Sequence, residues 1–144
     1  FFTDWQQLMQ DLNLDYTLFF QSLEKPVLDI KIDDFTNSFY RKLSESELSR
    51  LSNFIEKYQK RKLRNKISEL ESLELMSKTN PKFILRNYLL FEAIQDAEQD
   101  NYERFFELKE ALENPYENRF PQFNQKRPSK YDNQTGCSQL SCSS

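Results

Sequence analysis

Scarcity of glycine is the feature that most constrains the fold of this chain. One glycine, Gly136, and five prolines occur among 144 residues. β-Hairpins and other tight turns depend on these two residue types, so a fold of many short strands would have few places to reverse direction. A chain of this length is large enough to bury a core of its own. We therefore predict an all-α fold of about five to six helices.

The segment from Asn80 to Pro115 carries the clearest helical signals in the sequence. Asn80 offers an N-cap oxygen, and Pro81 suits the first helical position because its missing N–H would be unpaired there. Asp100 and Asn101 interrupt a helical repeat of apolar residues, and Pro115 ends it. We predict two consecutive helices that form a hairpin. The predicted buried stripe comprises Ile84, Leu85, Tyr88, Leu89, Phe91, Ile94, Tyr102, Phe105, Leu108 and Leu112.

Three shorter helices are predicted near the beginning of the chain. Thr3 and Gln6 have capping-box spacing and indicate a first helix, and Asp15 is placed to cap a second. The alternating run at 27–32 lacks a partner strand, so we interpret it as a connector. The acidic pair at 33–34 is expected to cap a third helix.

A longer helix is predicted to follow. Ser44 and Glu47 have capping-box spacing at its start, and apolar residues continue at helical spacing to about Leu75. The phase of the apolar residues slips between Tyr58 and Leu63. We therefore expect a bend, or a change of packing partner, at that point.

The composition excludes several kinds of catalytic site. The chain has no histidine, two cysteines and one glycine. It therefore lacks an imidazole base, the ligands of a four-residue zinc site and the glycines of a phosphate-binding loop. Glu92 and Asp96 are four residues apart on one helix face, a spacing that usually reflects solvated carboxylates. We expect no catalytic, cofactor-binding or metal-binding residues within this chain.

A cluster of basic residues coincides with the slip in helical phase. One interpretation is a contact with nucleic acid, with an acidic partner or with ATP phosphates. The other, which we favour, is a solvated helix face. The net charge of −3 argues against nucleic acid, and no apolar run is long enough for a membrane span. The cluster comprises Lys57, Lys60, Arg61, Lys62, Arg64 and Lys66.

Residues 116–144 differ in composition from the rest of the chain. They are rich in Asn, Gln, Ser, Pro and Lys, which predicts a loop-rich or disordered tail. Cys137 and Cys142 lie in its last eight residues. Considered without any family, they are best interpreted as a pair of unremarkable exposed thiols.

Three pieces of the sequence resemble the SelO (YdiU) family. The first is NPKFILRNYLLFEAIQDAEQDNYERFFELKEALENPYEN, which is similar to the family's C-terminal signature. The second is the ending SCSS, which puts Cys142 at the place of the family's terminal cysteine or selenocysteine. The third comprises Leu8, Met9 and the run Asp15-Tyr16-Thr17, which resemble the segment ahead of the family's last helices.

This resemblance implies a kinase-like protein that transfers AMP from ATP to Ser, Thr or Tyr hydroxyl groups of proteins. Residues 1–115 would be the C-terminal helical region that packs on the upstream kinase-like domain. That domain would bind ATP and Mg²⁺ and hold the catalytic residues. Residues 116–144 would be a tail whose Cys142, with Cys137 nearby, takes part in redox control. The implied location is the bacterial cytoplasm, or mitochondria in a eukaryote.

An alternative of a different class remains open. The chain could be a free-standing helical module that binds a partner protein through the basic residues at 57–66 or through apolar helices. A kinase-like sequence directly before Phe1 in the gene would distinguish the family interpretation from this one.

Overall fold

The computed structural model describes residues 2–137, and this part of the chain is helical, as predicted. Its regular structure comprises six α-helices, with short 3₁₀ helices between and after them. Residues 2–137 contain no β-strand, and Leu14 and Phe39 form an isolated bridge. No helix in this part is both long and apolar enough to cross a membrane. The α-helices are α1 (Phe2–Asp11), α2 (Tyr16–Ser22), α3 (Glu45–Lys62), α4 (Glu69–Thr79), α5 (Asn87–Ala97) and α6 (Glu103–Glu113).

The chain divides into two compact units between Asn80 and Pro81. Unit 1 contains α1 to α4 and the 3₁₀ helices Val27–Asp29 and Ile32–Ser38. Unit 2 contains α5, α6 and the 3₁₀ helices Pro121–Phe123 and Ser129–Tyr131. The predicted division at residue 115, between a helical region and a tail, stays a prediction.

An aromatic cluster forms the centre of unit 1. Phe19 is fully buried and lies 4.9 Å from Phe35 and 6.2 Å from Phe54, measured between ring centroids. Trp5 is buried and packs edge-on against Phe20 at 5.2 Å. These contacts hold α1, α2, α3 and the segment 32–38 around one core.

Asp15 caps α2, as predicted, and also ties the helix to the segment that follows. Its Oδ1 accepts a hydrogen bond from the Leu18 N–H at 3.0 Å, and its Oδ2 accepts one from the Tyr40 hydroxyl at 2.7 Å. The Asp15 N–H donates to the Ser38 carbonyl oxygen at 2.8 Å. Because these bonds and the Phe39 bridge engage this backbone, residues 32–38 form a 3₁₀ helix that ends at Ser38 instead of the predicted α-helix.

The predicted long helix is two helices. The Ser44–Glu47 capping box is confirmed, but α3 ends at Lys62 and α4 begins after Ser68, which forms a second capping box with Glu71. The residues between them are not helical, so the phase slip marks a break and not a bend. As a result, the predicted apolar face of the long helix is not buried beyond α3. Three of its residues are exposed: Leu63, Ile67 and Leu70.

The first helix of the predicted hairpin begins later than expected. Asn80 is the C-cap of α4 and not an N-cap, and α5 begins at Asn87. The N–H groups of Lys82 and Phe83 donate to the Pro115 carbonyl oxygen at 2.7 and 3.0 Å. These bonds hold the backbone ahead of α5 against the end of α6 and bury Phe83. The predicted interruption at Asp100 and the stop before Pro115 are confirmed.

Residues 116–137 are loop-rich, which is one of the two alternatives predicted for the tail. They contain two 3₁₀ helices, and Phe123, Tyr131 and Cys137 are buried in the core of unit 2. Aromatic side chains are scarce in disordered segments. Phe120, Phe123 and Tyr131 were therefore the sequence signal that this part of the tail packs.

Replacing Leu51 by Ala tests the core of unit 1. Leu51 is fully buried on α3, so the substitution leaves a cavity and should lower the free energy of unfolding by about 2–5 kcal/mol. Leu75→Ala, at a site that is 55% exposed on α4, should change it by less than about 1 kcal/mol. Urea unfolding followed by Trp5 fluorescence measures both, and equal losses would contradict this description of the core.

Glu47 should make the stability of unit 1 depend on pH. Hydrogen bonds from Arg41 and Ser44 lower the pKa of Glu47 from 4.5 to about 2. Since the folded pKa is depressed, the stabilisation is complete above the unfolded pKa and is lost as the pH falls from about 4.5 towards 2. In Glu47→Gln, the urea concentration at the midpoint of unfolding should therefore fall less steeply than in wild type as the pH is lowered between these values.

Glu45→Gln is the matched control for this substitution. It removes the same charge from the same turn of α3, but Glu45 makes no side-chain hydrogen bond within residues 2–137. An acid limb that is equally steep in wild type and Glu47→Gln would contradict the assignment.

Candidate functional site

The turn between α5 and α6 aligns polar side chains of the two helices. Asp100 adopts a left-handed backbone conformation with φ of 58°, which reverses the chain direction. The Asn101 N–H donates to the Asp96 carbonyl oxygen at 3.0 Å, and the Asn101 side chain accepts from the Glu103 N–H at 3.2 Å. The turn thus ends α5 and opens α6 within a few residues.

Arg104 links the two helices. Its Nε donates to Asp96 Oδ2 and its Nη1 donates to Glu92 Oε2, both at 2.7 Å. The bond to Asp96, with the nearby charge of Glu92, raises the pKa of the Arg104 guanidinium. The two carboxylates therefore are not the solvated pair that their spacing suggested. Residues 2–137 offer no cluster of three acidic, cysteine or histidine side chains that could hold a metal ion.

Glu92 also binds the segment that follows α6. Its second oxygen, Oε1, accepts a hydrogen bond from the Tyr131 hydroxyl at 2.7 Å, and Lys130 Nζ lies 3.8 Å from the same oxygen. Burial and the bond to Glu92 raise the pKa of the Tyr131 hydroxyl. One carboxylate on α5 thus binds both α6 and the tail.

Aromatic packing completes the attachment of the tail. The Tyr131 ring stacks on Tyr88 with 5.9 Å between centroids and meets the edge of Phe91 at the same distance. Gly136 has φ of 83°, a conformation that side-chain-bearing residues rarely adopt, and a Cβ built there would lie 3.9 Å from Phe91. We refer to Tyr88, Phe91, Glu92, Tyr131 and Gly136 as the tail anchor.

Cys137 lies directly beyond the anchor and is buried. Only 5% of its surface is exposed, and its N–H donates to the Gln134 carbonyl oxygen at 3.1 Å. Burial, followed by the negative charge of Glu92, raises the pKa of the Cys137 thiol. A buried, protonated thiol is a poor nucleophile, so the expectation of two exposed thiols is wrong for Cys137. Cys142 lies outside the described residues.

The buried face of the hairpin differs from the predicted stripe. Tyr88, Leu89 and Leu108 are buried as predicted, but Ala93 and Ala111 complete the core, because the bonded side chains of Arg104, Glu92 and Asp96 occupy space between the helices. The remaining large apolar residues face outward and are 36–63% exposed: Ile84, Leu85, Leu90, Ile94, Tyr102, Phe105, Phe106 and Leu112. Phe91 is half-buried.

The basic residues lie on the last turns of α3 and in the loop that follows. Lys57, Lys60, Arg61 and Arg64 line a shallow depression of about 420 Å³ with Asn65. Tyr58 packs against the core of unit 1 and is not presented with them, so the depression lacks an aromatic platform for bases.

Loosening the tail anchor should expose Cys137. Tyr131→Phe removes a hydrogen bond to a charged acceptor, worth about 1.5 kcal/mol, which should raise the open population about tenfold. In a Cys142→Ser background, the rate of Cys137 modification by a thiol reagent should increase by that factor. Tyr102→Phe, at an exposed hydroxyl of the same unit, is the control and should leave the rate unchanged. Fast modification of Cys137 in the Cys142→Ser protein, in which the tail anchor is intact, would contradict the burial of Cys137.

Comparison with known proteins identifies the family. A family model described as protein adenylyltransferase SelO matches residues 1–113. Proteins named protein nucleotidyltransferase YdiU are 36% identical over 143 residues in Tolumonas auensis, 32% over 149 in Cytophaga hutchinsonii and 33% over 144 in Aromatoleum aromaticum. These matches cover 95%, 97% and 95% of this chain, but only 27%, 28% and 27% of the relatives. The chain therefore belongs to the SelO protein adenylyltransferase family.

Proposed function

We propose that this chain is the C-terminal helical region of a protein adenylyltransferase, in which it supports the catalytic part and carries a redox-sensitive tail. The observation that carries the proposal is the match of residues 1–113 to the SelO family, combined with a span of about 27% of the relatives' length. Most of each relative thus lies outside the matched segment. The proposed reaction is attack of a substrate Ser, Thr or Tyr hydroxyl on the α-phosphate of ATP, which joins AMP to the protein and releases pyrophosphate.

The outward side of the hairpin supports a docking role. A surface helix normally has one apolar face, but α5 presents Leu90 and Ile94 on the side opposite its core residues Leu89 and Tyr88. These two residues are 44% and 51% exposed, and they are one helical turn apart. A helix that is apolar on two sides is typical of a buried position. The occupant we propose is the catalytic part of the same protein.

The second helix of the hairpin adds to this surface. Phe105 and Leu112 are two turns apart on α6 and are 51% and 49% exposed. Full burial of a Leu, Ile or Phe side chain contributes about 1.5–3 kcal/mol, so four such residues supply a substantial driving force for docking. Charged residues on the same helix, including Lys109 and Glu113, keep this side soluble when it is uncovered.

The chemistry of nucleotide transfer is assigned to the rest of the protein. We expect ATP and Mg²⁺ to be bound by the part of the relatives' length that this chain does not span. The chain's single glycine, Gly136, lies in the tail anchor, and residues 2–137 contain no metal-binding cluster. We propose that the contribution of this chain is positional and that the complete protein binds the protein substrates.

The regulatory proposal concerns Cys142. Four residues separate it from Cys137, so over five steps of 3.3–3.6 Å its Cα lies within about 18 Å of the Cys137 Cα. Because burial keeps Cys137 protonated, Cys142 is the thiol we assign to redox control, through a disulfide with a cysteine of the catalytic part. The tail anchor limits where that disulfide can form.

Intact-mass measurement tests the activity. This chain and the longest protein that contains it are each incubated with ATP, Mg²⁺ and a general protein substrate. AMP should be added by the longer protein alone. An adduct made by the isolated chain would contradict the absence of catalytic residues here, and no adduct from either would favour the free-standing interaction module.

Cys142→Ser in the longer protein tests the regulation. The substitution should abolish activation by a reductant, because the inhibitory disulfide can no longer form. Cys137→Ala is the control and should retain that activation, since its thiol is buried. Wild-type activity that is equal with and without reductant would overturn the proposal.

A further inference from the structure

A groove in unit 1 has no assigned role. It has a volume of about 400 Å³ and lies between the 3₁₀ helix Val27–Asp29 and the loop that joins α3 to α4. The depression lined by Lys57, Lys60, Arg61 and Arg64 adjoins it, because Asn65 lines both. We refer to the two together as the α3–α4 groove.

Hydrogen bonds hold the floor of the groove in place. Glu69 Oε1 accepts from the Val27 N–H at 2.7 Å, which fixes the start of α4 to the 3₁₀ helix. Gln59 Nε2 donates to the carbonyl oxygens of Val27 at 2.9 Å and Ile30 at 3.2 Å, which fixes α3 to the same segment. Val27 and Ile30 are themselves buried in the core of unit 1. The groove is therefore built before any partner binds.

The walls of the groove expose large apolar side chains. Leu28, Leu63 and Ile67 line it and are 72%, 59% and 46% exposed. All three lie on the two short segments that frame the opening. Apolar side chains grouped around a preformed concavity are typical of a binding site for another apolar group.

Two of the adjoining cations, Lys57 and Arg64, are placed to meet an acidic partner. Lys57 and Arg64 form no ion pair within residues 2–137, and Lys60 is 3.8 Å from Glu56. Lys62, in the wall of the groove, lies 3.3 Å from Met76 Sδ and likewise has no carboxylate within ion-pair distance in that part of the chain. Burial lowers the pKa of Lys62, and the nearby charge of Glu69 acts in the opposite direction.

The helix dipole alone does not account for this surface. Cations in the last turn of α3 are favourable there, which explains part of the basic cluster. The dipole of α3 does not explain why three large apolar residues surround the neighbouring concavity. Asp29 and Glu69 also line the groove and would repel acidic groups there. A partner's acidic residues are thus directed towards Lys57 and Arg64.

We propose that the α3–α4 groove binds an extended segment of a separate partner protein in which a large apolar side chain lies beside acidic residues. The apolar side chain packs against Leu28, Leu63 and Ile67, and the acidic side chains face Lys57 and Arg64. This inference does not depend on nucleotide transfer, because the groove lies within unit 1 and uses none of the tail anchor.

Fluorescence anisotropy with a labelled peptide tests the proposal. The probe contains paired leucines followed by a run of glutamates. Arg64→Glu and Leu63→Ser should each weaken its binding at least about tenfold, since each removes one of the two contacts. Raising the salt concentration should also weaken binding, because exposed charges are screened.

Two variants serve as matched controls. Lys42→Glu reverses an exposed charge elsewhere in unit 1 that forms no ion pair within residues 2–137. Leu75→Ser replaces a leucine on α4 that is 55% exposed, close to the 59% of Leu63, but does not line the groove. Both should bind the probe within about twofold of wild type, and unfolding followed by Trp5 fluorescence confirms that every variant is folded.

Several results would overturn the proposal. Absence of probe binding, or equal binding of a peptide with lysines in place of the glutamates, would show that the groove does not recognise acidic segments. Wild-type affinity in both groove variants would place the probe elsewhere. Light scattering that finds a dimer dissociated by Leu63→Ser would assign the groove to a second copy of the chain.

Discussion

The two hydrogen-bonded oxygens of Glu92 organise unit 2. Oε2 accepts from Arg104 on α6, and Oε1 accepts from Tyr131 in the tail. Hydrogen bonds to a charged group contribute about 1.5–3 kcal/mol each when well formed, and the Glu92 side chain is only 19% exposed. Loss of Glu92 would remove one of the two carboxylates bonded to Arg104. It would also remove the acceptor of the hydrogen bond from the buried Tyr131 hydroxyl. The helical hairpin and the segment after it therefore depend on one carboxylate.

This arrangement bears on the redox role that we propose for Cys142. Cys137 packs among the aromatic residues of unit 2, and burial, followed by the charge of Glu92, raises the pKa of its thiol. Cys142 lies five residues further along the sequence. Because Cys137 is fixed, the length of the chain between the two cysteines limits how far Cys142 can lie from the tail anchor. Such a limit suits a regulatory thiol that forms a disulfide with one partner. The anchor thereby connects the packing of unit 2 with the regulation that we propose.

Much of the fold could be predicted because local signals decide it. Asp15, Ser44 and the Asp100 turn act on neighbouring backbone groups, and each occupies the predicted role. The break before α4 was also readable from Ser68 and Glu71, a second capping box that the continuous apolar repeat concealed. Asn80 was misassigned because its cap signal was valid locally, whereas the bonds from Lys82 and Phe83 to Pro115 are not local.

The candidate site was harder to predict for the same reason. Glu92 and Asp96 were recognised as a pair, but their partner Arg104 lies in the next helix and Tyr131 lies 39 residues from Glu92. Spacing along one helix cannot show which cation or hydroxyl approaches it. The burial of Cys137 follows from these long-range contacts, so composition alone favoured an exposed tail.

Amide hydrogen exchange on wild type and Glu92→Ala tests the central claim most directly. In wild type, the N–H groups of Tyr131 and Cys137, which donate to Pro128 and Gln134, should be protected. In Glu92→Ala their protection should fall, while that of Leu51 in unit 1 remains. Unprotected tail amides in wild type, or unchanged protection in the variant, would contradict an account in which Glu92 holds the tail on the hairpin.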